Sequence, residues 1–183
     1  MLFVGATLSR LSTEMYSVAV VLFVLAETKS PRVAGFTVAA ATLPTVITGP
    51  LVGAWLDRSP HRRLVFLASP MLLAVAMAGF LAVGNHAGAA ALVGLGFVAG
   101  LPSPVRTGGF SGLIPTVVPE PVLPRAYGAE AVSYNIAGIA GPAIAGAIAG
   151  IASPSWAIVA TAVVALASCT VIAQVPILSL IHI

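Results

Sequence analysis

Six apolar stretches, at residues 2–26, 33–55, 64–84, 88–113, 125–151 and 154–177, leave this chain few ways to fold. A helix that crosses a bilayer needs about 20 mostly apolar residues, and each stretch is about that long. The segments between them are short and rich in turn residues: Glu27–Arg32, Asp57–Arg63, Asn85-His86, Pro115–Pro124 and Ser153-Pro154. Connections this short force consecutive helices to run antiparallel. The expected fold class is therefore all-α: a polytopic membrane bundle of six helices in one domain over residues 1–177, arranged as two three-helix repeats.

Charge supports the same solvent. Only 7% of the residues are charged, against 59% hydrophobic, whereas soluble domains carry about 25% charged residues. A surface so poor in charge is wetted by lipid, not water. The net charge of +3 rests on eight Lys and Arg scattered among apolar runs, which gives no basic face for nucleic acid. The single cysteine, Cys169, sits in an apolar run and reads as a structural thiol. Arg10 and Glu14 interrupt the first stretch, so it does not read as a cleavable signal peptide.

Positive charges set the expected orientation. Arg58, Arg62, Arg63 and Arg125, with Arg106 near the same end, face Lys29 and Arg32 on the other side. The 57–63 loop and both chain ends are thus expected in the cytoplasm, in a bacterial inner or plasma membrane. The last residues, Leu178–Ile183, resemble a translated sequencing adapter, so a non-native tail over 178–183 and a reading frame cut near residue 177 are expected.

The stretch Gly53-Ala-Trp-Leu-Asp57-Arg58-Ser-Pro-His61-Arg62-Arg63 follows the second apolar segment. It resembles the loop signature of the major facilitator superfamily, in which Gly is followed four residues later by Asp, then Arg, then a basic cluster. Pro60 and His61 depart from the pattern. In the fifth segment, Gly128, Ala137, Gly141-Pro142 and Ala145-Gly146 resemble the superfamily's antiporter motif, with alanines at two glycine positions. Pro142 has no amide for the carbonyl of Gly138, which should bend that helix. The small residues at 138, 141, 145, 146 and 149 offer a face for close helix approach. The Pro-rich loop running into Leu123–Tyr127 is similar to drug-efflux members.

The resemblance covers residues 1–177 and implies the N-terminal six-helix half of a secondary transporter, here without its C-terminal half. It also implies alternating access, proton-coupled efflux of a small molecule, and a gating loop formed by Gly53, Asp57, Arg58, Arg62 and Arg63. Expected partners are membrane lipid, a small-molecule substrate, protons and the missing second half, with no nucleic acid. The alternatives are a non-transporting membrane assembly subunit and the permease subunit of an ATPase-driven system.

Polar groups at membrane depth are costly and mark function. In the first segment Thr7, Arg10, Glu14 and Ser17 share one helical face, and Arg10 can pair with Glu14 one turn away. Glu130 and Tyr134 lie one turn apart in the fifth segment. Glu130 fits two roles, a proton carrier or, more simply, a helix-start carboxylate favoured by the helix dipole. Arg106, on the helix broken by Pro102 and Pro104, either binds an anionic group or anchors the cytoplasmic end. The chain has one lysine and no phosphate-cradling loop, and its histidines are too dispersed for a metal site. No enzyme, cofactor or metal is expected.

Overall fold

A computed structural model describes residues 2–58, 62–86 and 88–174. Seven α-helices occupy them: α1 (Leu2–Thr28), α2 (Pro31–Arg58), α3 (Arg62–Val83), α4 (Ala89–Gly100), α5 (Phe110–Val117), α6 (Leu123–Ile151) and α7 (Pro154–Ala173). No strand occurs among the described residues. Four helical segments among them, Phe3–Thr28, Arg63–Val83, Glu120–Ile151 and Pro154–Ala173, are long and apolar enough to cross a membrane. The tail at 178–183 lies outside the described residues.

Helix ends follow local chemistry. Lys29 takes φ 54°, and its amide donates to the Leu25 carbonyl at 3.0 Å, a left-handed cap that stops α1. At the end of α3, φ of +38° at Gly84 suits a residue without Cβ. Ser153 caps α7, its side chain accepting from the Trp156 amide, with Pro154 in the first turn.

The fourth apolar stretch differs from the single helix over 88–113 that its hydropathy predicts. α4 stops at Gly100, a turn follows at Leu101-Pro102, and a π-helical turn at Val105–Gly109 leads into α5. Pro102 and Pro104 remove two amide donors within three residues, and the helix breaks there. The Pro102 carbonyl instead collects the amides of Val105 and Arg106 at 3.2 and 3.4 Å, and the Ser69 hydroxyl at 3.1 Å. α6, by contrast, continues through Pro142 without interruption.

α1 is the central helix, flanked by α7, α6 and α2, while α2 packs on α4 and α3 on α7. One apolar core joins Met15, Val20 and Phe23 of α1 to Leu73, Met77 and Phe80 of α3 and Ile158 of α7. Phe23 and Phe80 meet edge to face at 6.4 Å. A second core gathers Phe66, Val105, Phe110, Leu113 and Ile172 around the π-helical turn. The outward faces are equally apolar, with Phe36 63%, Ile139 75% and Ile151 89% exposed. Lipid solvates such faces; water does not.

The α2–α4 seam holds the tightest glycine contacts among the described residues. A Cβ on Gly100 would stand 2.1 Å from the Ala41 carbonyl oxygen, and one on Gly96 2.2 Å from that of Thr37. Both obstacles are backbone and cannot rotate away. Gly100→Ala is therefore expected to destabilise the purified chain in detergent by about 1–3 kcal/mol. Gly138→Ala, whose new methyl meets nothing within 4 Å, should not lower the unfolding midpoint. Equal midpoints for the two variants would contradict this account of the seam.

Candidate functional site

Two arginines are buried in the apolar bundle, and their partners define the candidate site. Arg10, on α1, is 2% exposed and forms an ion pair with Glu130 of α6, itself 7% exposed. The Ser111 hydroxyl donates to the same carboxylate oxygen at 2.5 Å. Arg10 Nη1 donates to Ser133 Oγ at 3.3 Å, and the guanidinium lies 4.0 Å from the centre of the Tyr134 ring.

Proton bookkeeping fixes the direction of the remaining bond. Thr7 spends its hydroxyl hydrogen on the Phe3 carbonyl at 2.7 Å, so Ser133 donates to Thr7 Oγ1 at 2.8 Å and its lone pairs are left for Arg10. A void of about 10 Å³ lined by Arg10 and Glu130 lies alongside, room for roughly one water.

This geometry corrects three sequence expectations. Arg10 does not pair with Glu14, which makes no ion pair among the described residues. Helical spacing puts Glu14 on the right face, but the guanidinium turns toward α6, where a carboxylate, a hydroxyl and an aromatic ring converge. Glu130 is not a helix-start carboxylate either, because α6 begins at Leu123, two turns earlier, and buries it. The close-approach face of α6 carries Ala137, Gly141 and Ala145, whereas Gly138 is exposed. A Cβ on Gly141 would lie 2.6 Å from Glu14 Cβ, so the glycine lets α1 and α6 meet. Of the other motif positions, Gly128 and Gly146 face open space.

Arg106, 2% exposed, sits in the π-helical turn. Its Nε donates to Thr13 Oγ1 at 2.8 Å, Nη1 to the Ser69 carbonyl at 3.4 Å and Nη2 to the Ala99 carbonyl at 3.3 Å. All three acceptors are neutral. Beside it a cleft of about 140 Å³ opens between α1, α2 and the broken α4–α5 segment, lined by Thr13, Tyr16, Thr42, Thr45, Ser103 and Arg106 among others. Ser17 lines this cleft too, so the polar stripe of α1 serves both sites instead of one.

Sequence reasoning missed Tyr16, Thr13, Ser69, Ser111 and Ser133. Ser133 carried a usable signal, one turn from Glu130 on the same face. The others are single polar groups in apolar helices, and only the packing relates them.

The gating-loop motif divides. Gly53, Asp57 and Arg58 lie in the last turns of α2, and Arg62 opens α3; the side chains of these four lie outside the described residues. Arg63 donates from Nη2 to the Ala173 carbonyl at 2.9 Å, tying the start of α3 to the end of α7. Arg125 is exposed at the start of α6.

Comparisons with known proteins agree with this architecture. The family model described as Major Facilitator Superfamily matches residues 2–177. An uncharacterized MFS-type transporter, y4rN of Sinorhizobium fredii (strain NBRC 101917 / NGR234), is 34% identical over 160 residues, which is 85% of this chain. The chain spans 39% of that relative's length. No solved structure matches the chain significantly.

Removing one member of a buried ion pair strands the other charge. Glu130→Ala is expected to destabilise the chain by about 3–5 kcal/mol, measured by unfolding in detergent. The double variant Arg10→Leu/Glu130→Leu should recover most of that loss. Additive losses would show that the two charges are not coupled.

Proposed function

The chain belongs to the major facilitator superfamily, and from that premise we propose that it forms one half of a proton-coupled exporter of small molecules. It is an integral membrane protein of a transporter family. In this reading α4 and α5 together make one bilayer crossing, so that six passes bring both chain ends to the cytoplasmic side of a bacterial inner membrane. A second half of similar size completes the carrier, in keeping with the greater length of the relative. The α2–α3 connection, with Asp57 and Arg58 at the end of α2, then packs against that half and gates the cytoplasmic side.

The observation that carries the reading is the buried Arg10–Glu130 pair on two facing helices. A transport step driven by protons needs a carboxylate that is shielded from bulk water and has something to release. Protonating Glu130 removes its charge attraction for Arg10. Without that attraction the guanidinium is held by Ser133, the Tyr134 ring and a neutral acid, and the α1–α6 contact loosens. The water-sized void beside the pair gives the proton a place to arrive. Proton binding thus biases two packings of the same helices, and a ligand that prefers one packing is coupled to the proton.

The test is flux of fluorescent amphipathic dyes into everted vesicles carrying the protein with both halves, with and without a pH gradient. Glu130→Gln should leave transport independent of the gradient, while Glu14→Gln should retain gradient dependence. Gradient-driven flux in a monodisperse Glu130→Gln protein would overturn the assignment. Asp57→Asn should slow flux several-fold at normal expression, and unchanged flux would reduce the loop to a topogenic turn. The 183-residue chain alone, as a verified monomer in liposomes, should give no flux.

A further inference from the structure

We propose that the Arg106 cleft is the seat of a carboxylate group, so that the transported molecules are organic anions with a carboxylate at one end. The proposal deepens the transporter reading and rests on it for what the bound group is doing there.

Charge comes first. Arg106 is a cation held out of water, yet among the described residues its contacts are one hydroxyl and two carbonyls, with no carboxylate. The Arg10 site shows how the same fold treats a buried guanidinium when it supplies the counter-ion itself. A buried charge without a counter-charge is unfavourable, and an incoming anion supplies what the protein leaves out. Two of the five guanidinium N–H groups remain after these three bonds, the number a carboxylate uses in a forked pair.

The second feature is independent of charge. The hydroxyl of Tyr16 is buried and has no hydrogen-bond partner, although Tyr16 is only 7% exposed and lines the same cleft as Arg106. Buried hydroxyls are rarely left unpaired, and this one belongs to a side chain that lines the same cleft as the cation. A donor and a cation together favour an anion and repel an ammonium group. Thr42 and Thr45 add hydroxyls to the wall.

Size is the third feature. The cleft of about 140 Å³ is much larger than the one-water void beside Arg10 yet below the roughly 300–1,000 Å³ of pockets that bury a drug-sized ligand. That seats a carboxylate and its first few carbons but not a whole amphipathic molecule. The remainder of the substrate lies outside this cleft.

The test uses the purified chain in nonionic detergent and ligand-observed NMR titrations with benzoate, benzamide, benzylamine and inorganic phosphate. Benzoate should bind at least about 10-fold more tightly than the uncharged and cationic analogues, from the strength of hydrogen bonds to a charged group. Phosphate should bind more weakly than benzoate; equal or tighter phosphate binding would overturn the carboxylate assignment. Arg106→Gln should abolish benzoate binding. Because that variant removes a buried anchor, Tyr16→Phe is the second probe. Its lost hydroxyl bonds nothing in the protein, so the unfolding midpoint should not fall while benzoate affinity drops about 10-fold. Unchanged affinity in Tyr16→Phe, or equal binding of benzoate and benzylamine, would sink the proposal. Binding requires neither a gradient nor the second half. Intact benzoate binding without coupled flux therefore counts against the transport reading, and coupled flux of uncharged dyes without benzoate binding counts against this one.

Discussion

A guanidinium that helices hold away from water must find its counter-charge or its acceptors inside the bundle, and this requirement organises the fold around α1. Arg10 leaves α1 for Glu130, which brings in α6; Arg106 reaches back to Thr13, which ties the break after α4 to the same helix. The two solutions differ. One site neutralises the charge with a carboxylate, and the other spreads it over a hydroxyl and two carbonyl dipoles. Both are buried in a bundle whose outward faces are apolar, and in hydrocarbon an unsatisfied polar group is far more costly than in a soluble protein.

Hydroxyls make these solutions workable. Thr13 gives its hydrogen to the Ser9 carbonyl one turn back and still accepts from Arg106. Thr7 does the same with Phe3 and Ser133. A threonine in an apolar helix thus satisfies itself locally while offering a lone pair to a neighbour. Thr37 and Thr161 show the resting form of the device, bonded to their own helix at 2.8 Å.

Hydropathy alone located the helices, because length and apolarity are local properties: the edges of α1, α3, α6 and α7 fall within a few residues of the apolar stretches. It also marked Arg10, Arg106, Glu130 and Tyr134, since each is a polar group among apolar neighbours. The partners were not legible. Arg10 and Glu130 are 120 positions apart, whereas Glu14 stood one turn away and suggested itself by spacing. Prolines 102 and 104 announced a break in the fourth stretch. That the chain would resume through a π-helical turn, aiming Arg106 inward, depends on Thr13 and Ser69, which belong to other helices. The α6 face was legible in part: Gly141 and Ala145 do turn inward, but Gly138 is exposed and Ala137 takes the buried place beside it.

The contact of Gly96 and Gly100 with the carbonyls of Thr37 and Ala41 has a mechanical meaning. Backbone pressed on backbone leaves no side chains to slide or repack, so α2 and α4 behave as a single stiff strut. The irregular stretch that follows runs from Leu101 to Gly109, where proline removes amide donors and the helix widens. The walls that α2 and α4 contribute beside Arg106 are therefore fixed to each other, and the width of that recess depends on where the pair stands relative to the segment that carries the cation.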